Sequence, residues 1–176
     1  MNVSQKSIIA WSQVERDFDW DGSLHDIYVR PATLQDWSVI CRVLKKLPGV
    51  EFRLDSELTP YPEDIAHVFA LRSKKSPMLS VRLGAVTAVF HFFTEEEVEC
   101  DIDPRSVKSQ IELDEVLAFL KLIGDAVAKP VMLTPENCPE SEIVRYEPSS
   151  QKFRYTESKE ANQPPKPTAP GGLGSS

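Results

Sequence analysis

The 176-residue chain is poor in glycine, with seven, three of them within its last six residues. It holds no GxGxxG and no GxxxxGK[ST] run, so the usual backbone cradle for a nucleotide phosphate is missing. Cysteine is scarce too: Cys41, Cys100 and Cys138 are odd in number, widely spaced, and form no CxxC pair. That argues against a local zinc site and against a disulfide framework, and it fits a reducing cytoplasm. Basic clusters stop at Lys74-Lys75 and the formal net charge is −7. A nucleic-acid binder needs a basic footprint for phosphates, so nucleic acid is not an expected partner. No apolar run approaches the length of a bilayer span, and no membrane association is expected. The opening MNVSQKSIIAWSQ lacks the apolar core of a signal peptide.

What is present is ordinary for a globular protein: 41% hydrophobic and 27% charged residues. One domain over residues 1–155 is expected to carry the core. The stretch 156–176, TESKEANQPPKPTAPGGLGSS, is rich in Pro, Gly and Ser and has no aromatic residue. It cannot bury enough apolar area to offset its ordering entropy, so disorder is expected there.

Periodicity lays out the elements. Residues 14–20 and 24–29 read as two strands joined by Asp21-Gly22, the preferred pair for a tight hairpin turn. TLQDWSVICRVLKKLPG reads as a helix: Thr33 and Asp36 form a capping box, Leu34, Trp37, Cys41 and Leu44 share one face, and Pro48-Gly49 stops it. VEFRL is a short strand. A second helix carries Ile65, Val68, Phe69 and Arg72 at its turns. MLSVRLGAVTAVFHFF reads as two strands around Gly84. The second is apolar on both sides and is expected to be covered on both. A third helix starts at the Ser109/Glu112 capping box, turns Leu113, Val116, Leu117, Leu120 and Val127 inward, and closes at Pro130. PVMLT is a strand, and IVRYEPSSQKFRY a hairpin. Hairpins separated by helices give an α+β fold, a mainly antiparallel sheet with about three helices packed on it.

DFDWDG resembles the start of a calcium loop, yet the twelfth position, where a bidentate Glu is required, holds Tyr28. EEEVECDID is the sharper feature. Glu97, Glu99, Asp101 and Asp103 alternate with Val98, Cys100 and Ile102, so the acids share one face of a strand. Such a strand is expected at a sheet edge, where charge blocks aggregation. It is also a docking surface for a basic partner, extended by Glu95 and Glu96. A metal site is a weaker option, since no histidine can be placed beside these acids. His91 lies in an aromatic strand, and Cys41 and Cys100 fall on apolar faces. TPENCPESE, residues 134–142, reads as an exposed acidic loop. A Cys/His pair built on Cys100 or Cys138 has no glycine-flanked nucleophile or oxyanion loop beside it. An enzyme is therefore not expected, and no cofactor.

Three segments carry a resemblance: FDWDGSLHDIYVRPATLQDW, HFFTEEEVECDIDPR, and LDEVLAFLKLIGDAVAKPVMLTPEN with IVRYEP after it. Together, over residues 11–155, they resemble a group of small single-domain bacterial proteins. Some members of that group are similar to immunity proteins of polymorphic or contact-delivered toxin systems. The resemblance implies a compact, acidic, cytoplasmic binder that neutralises a toxin, in many cases a basic nuclease, by direct contact. The residues expected at that contact are Glu95, Glu96, Glu97, Glu99, Asp101 and Asp103. The alternatives are a structural, self-associating domain with no toxin partner and an enzyme that uses Cys138 or His91.

Overall fold

A computed structural model describes residues 9–157. The reading of residues 156–176 as disordered lies outside these residues, apart from Thr156 and Glu157. The chain forms a nine-stranded sheet with helices on one side, so the expected α+β class is observed. In chain order the strands are β1 (His25–Val29), β2 (Val50–Leu54), β3 (Glu57–Thr59), β4 (Pro77–Leu83), β5 (Val86–Phe90), β6 (Val98–Ile102), β7 (Val131–Pro135), β8 (Val144–Glu147) and β9 (Lys152–Tyr155). Their order across the sheet is β3-β2-β4-β5-β6-β1-β7-β8-β9, and every neighbouring pair is antiparallel.

The helices are α1 (Trp11–Val14), α2 (Leu34–Leu44), α3 (Ile65–Leu71) and α4 (Gln110–Val127). The caps read from sequence form. The Thr33 hydroxyl accepts from the Asp36 amide and donates to the Asp36 carboxylate, and Ser109 does the same for Ile111 and Glu112. The long helix α4 turns Leu113, Val116, Leu117, Phe119, Leu120, Ile123 and Gly124 onto the sheet. Its Phe119 meets Phe90 edge-on, at 6.3 Å between ring centroids. Trp37 of α2 is fully buried. It stacks on Phe92 at 4.8 Å, meets Phe69 and Phe90 edge-on, and donates its indole N–H to the Thr94 carbonyl at 3.1 Å. Each such fully buried side chain contributes about 2 kcal/mol of transfer free energy.

Several sequence expectations fail. Residues 14–20 are not a strand. They belong to α1 and a following 3-10 turn, Glu15–Phe18. Trp11, Val14 and Phe18 recur at spacings of three and four, and this helical period wins over the alternation of DFDWD. Val14 and Phe18 are buried, while Trp20 is 46% exposed with the Arg105 guanidinium 4.1 Å above its ring. Asp21-Gly22 is a turn still, with Asp21 Oδ1 accepting from the Ser23 amide and φ of +106° at Gly22, but it closes no hairpin. Strand β1 pairs with β6 and β7 instead. The strand β3 was not foreseen.

The acidic strand β6 is not at an edge. It is the fifth of nine. Nor is β5 covered on both sides. Val86, Ala88 and Phe90 face the helices, whereas Val89 is half-buried and Phe93 is 52% exposed. The two corrections have one cause: the helices occupy a single face, so a central strand can carry charge on the other. Phe92, at φ of +52°, turns back into the core and leaves His91 and Phe93 on the far side.

Candidate functional site

The candidate site is the sheet face opposite the helices. Residues directly opposite in an antiparallel pair lie on the same face, with side chains about 5 Å apart. The register Glu51–Ser80–Val89–Asp101–Asp26–Thr134 therefore forms one row across six strands. The adjacent row runs Glu99–Tyr28–Met132–Arg145–Arg154. Where the rows cross β6 and β1, three carboxylates meet: Asp26, Glu99 and Asp101.

His91 belongs to this group. Its Nε2 lies 2.7 Å from Asp101 Oδ2, and its ring stacks on Phe93 at 5.3 Å. Asp26 is nearly fully buried although it stands on the helix-free face. Its Oδ2 accepts from the Tyr28 hydroxyl at 2.9 Å and from the Asn137 amide at 2.7 Å. The second bond shows what covers it. The connector between β7 and β8 is the exposed loop expected, at Asn137, Cys138, Glu140 and Ser141, and its Asn137 amide reaches back to this face. Its Glu142 pairs with Arg145 at 2.8 Å and with Arg154 at 2.7 Å, and its Glu136 accepts from the Leu24 amide at 3.1 Å.

Burial and neighbouring like charge both bear on the protonation of these groups. Burial, then the neighbouring Asp26 and Glu97, push the Glu99 carboxyl up to about 7, against the opposing pull of His91. Burial raises Asp26 as well. The Asn137 and Tyr28 hydrogen bonds oppose the rise, and Asp101 and Glu136 add to it. The Asp101 hydrogen bond raises His91 against the cost of its burial. Burial and the adjacent Asp26 carboxylate raise the Tyr28 phenol.

Of the six residues expected at the contact, Glu97, Glu99 and Asp101 come together on this face. Glu97 is paired with Arg30 at 3.1 Å. The others do not join them. Asp103 caps the 3-10 turn Pro104–Ser106 and is held by Arg105 at 2.7 Å. Glu95 and Glu96 lie exposed in the β5–β6 connector, where the Glu96 carboxylate accepts from the Thr94 hydroxyl and its carbonyl from the Ala32 amide at 2.6 Å. An open groove of about 410 Å³, lined by Arg30, Pro31, Thr94, Glu96 and Glu97, adjoins this end.

The sequence reading missed Asp26, Tyr28 and the role of His91. A signal was there for Asp26: a carboxylate inside the apolar strand HDIYV needs a reason. Among the described residues, no group of three or more His, Cys, Asp or Glu side chains has the geometry to hold a metal ion. No described helix is long and apolar enough to cross a membrane. Cys100 faces the helices while His91 faces away, so the sheet separates them. Compared with known proteins, the chain matches no family model, no curated protein and no solved structure.

Proposed function

We propose that the chain is a non-catalytic binding protein of the immunity type, which neutralises a cognate bacterial toxin in the cytoplasm by direct contact through its helix-free sheet face. The observation that carries this reading is the convergence of Asp26, Glu99 and Asp101 on that face, with His91 in hydrogen-bond contact with Asp101. A partner that presents Lys or Arg would supply the missing charge, which speeds encounter and selects against acidic competitors. The exposed ring of Phe93, with Arg72 beside it at 5.4 Å, offers an aromatic anchor at the rim of the same surface. Self-association through this face is disfavoured, because it would set two acidic clusters against each other.

The test is co-expression with the product of the neighbouring gene, scored for toxicity. Rescue from toxicity is expected, and unchanged toxicity rejects the reading. Given rescue, Glu99→Lys with Asp101→Lys should weaken the complex and flatten its salt dependence. Unaltered affinity would move the contact elsewhere. Sedimentation at two concentrations separates this from the self-associating alternative, which requires a concentration-dependent mass.

A further inference from the structure

We propose that Arg72, Lys75, Ser76 and His91 form a binding site for a small dianionic oxyanion, a phosphate or sulfate group. The site is a groove of about 200 Å³ lined by these four with Pro77 and Phe93. It does not rest on the function proposed above, which places a basic partner on the acidic part of the sheet face. None of those acids lines the groove, and its own charge is positive.

Two pieces of chain make the groove. One leaves α3 at Arg72 and enters β4 at Pro77; the other leaves β5 through His91 and Phe93. Arg72 is the C-cap of α3. A cation there ordinarily turns back onto the last carbonyls of its own helix. Arg72 instead reaches across to the second piece. Its guanidinium lies over the Phe93 ring at 5.4 Å and donates to the Phe93 carbonyl. That bond neutralises no charge, and among the described residues no carboxylate pairs with Arg72. Lys75 has Asp55 at 3.7 Å, with both side chains about half exposed. The other oxygen of Asp55 accepts from the Ser76 amide at 2.8 Å, which leaves the Ser76 hydroxyl without a partner among the described residues. Asp101 fixes His91. Its Oδ2 takes Nε2 at 2.7 Å and the ring stacks on Phe93, so Nδ1 is the nitrogen left for the groove. The same hydrogen bond favours the imidazolium, in which both ring nitrogens donate.

Size and charge set the ligand class. Pockets for whole cofactors or drug-sized ligands run from roughly 300 Å³ upward, so this groove takes one group and its stem. Three groups that carry positive charge and one hydroxyl converge on it, which suits a dianion better than a single carboxylate. The charged groups facing His91 are Asp101 and Glu99 from β6, Asp26 from β1, and Arg72 and Lys75 from the connector between α3 and β4. Sulfate keeps its charge throughout the neutral range, so a change of its affinity with pH comes from the protein. Falling pH charges His91 and neutralises Glu99, and both favour an anion. Sulfate is therefore bound more tightly at pH 6 than at pH 8.5.

Titration of the full chain with sodium sulfate at constant ionic strength, followed by amide and imidazole NMR, tests this. Expected are saturable shifts centred on Arg72, Lys75, Ser76 and His91, with a Kd about threefold lower at pH 6 than at pH 8.5. Lys75→Met and Arg72→Met should each weaken binding about threefold, as loss of an exposed ion pair would, and the double variant should abolish saturation. Lys75→Met removes only an exposed contact, so it remains decisive if Arg72→Met disturbs the chain at Phe93. His91→Gln should shrink the pH difference. Shifts that do not saturate, or that spread equally to Arg53 and Arg154, mean ionic screening only and overturn the site. A pH difference unchanged in His91→Gln removes His91 and overturns the site as drawn. Acetate saturating as tightly as sulfate overturns the dianion assignment.

Discussion

Asp26 and Asp101 stand directly opposite one another across β1 and β6, two carboxylates side by side at the centre of a nine-stranded sheet. Like charges so placed repel and cost stability. The fold tolerates them because Asp26 takes two hydrogen bonds on one oxygen and Asp101 takes His91.

The contribution of Glu99 to stability should fall as pH rises toward neutrality. Its carboxyl is ordinarily near 4.5 and is held up to about 7 in the fold. The folded state therefore binds more protons than the unfolded state in that window, so its advantage is complete below about pH 4.5 and lost above 7. His91, raised from 6.5, acts in the same direction. Urea melts of Glu99→Gln against wild type should show the variant gaining relative stability between pH 4.5 and 8. A difference that does not vary with pH would contradict this.

The pair Asp36–Lys129, at 2.8 Å, ties the start of α2 to the second residue past the end of α4. Burial opposes ionisation of Asp36. The Lys129 and Thr33 hydrogen bonds outweigh it and keep the carboxyl below its ordinary value of 3.8. Lys129→Met should cost about 2 kcal/mol at pH 7 by leaving that carboxylate short of a partner. The loss should shrink in acid, where the wild-type pair is itself lost as Asp36 takes up a proton. Chemical denaturation at pH 7 and pH 3 checks the direction.

Gly124 marks where α4 touches the sheet. A Cβ there would come within 2.7 Å of the Tyr146 ring and 3.1 Å of Val131. Gly124→Ala should destabilise by about 1–3 kcal/mol through overpacking, despite alanine's better helix propensity. Gly22→Ala meets no atom within 4 Å, so any cost there comes from the φ of +106° alone, about 1 kcal/mol. Equal costs at the two positions would contradict this assignment.

Thiol labelling of the native protein should find one accessible cysteine. Cys138 is exposed, whereas Cys41 and Cys100 are buried. Burial pushes the Cys41 thiol up to about 12 and that of Cys100 well above its ordinary value, so both resist deprotonation. Two or three fast equivalents with a disulfide reagent would mean that the core opens readily.

The sequence determined the local elements. Thr33 and Ser109 announce their helices, Gly84 its hairpin, and the alternation of Glu97, Glu99, Asp101 and Asp103 a strand with one acidic side. Those signals act within a few residues, through caps, turns and side-chain period, so a linear reading captures them. The same reading failed at Phe18 and Trp20, where two periods competed and only burial against the sheet chose between them. It also failed at the site. Strand order and register were decided by tertiary packing: helices on one face made a central acidic strand possible, and pairing of β1 with β6 brought Asp26 and Tyr28 to Glu99 and Asp101. Residues some seventy positions apart meet there because antiparallel pairing is non-local, and no feature of either segment alone specifies its partner.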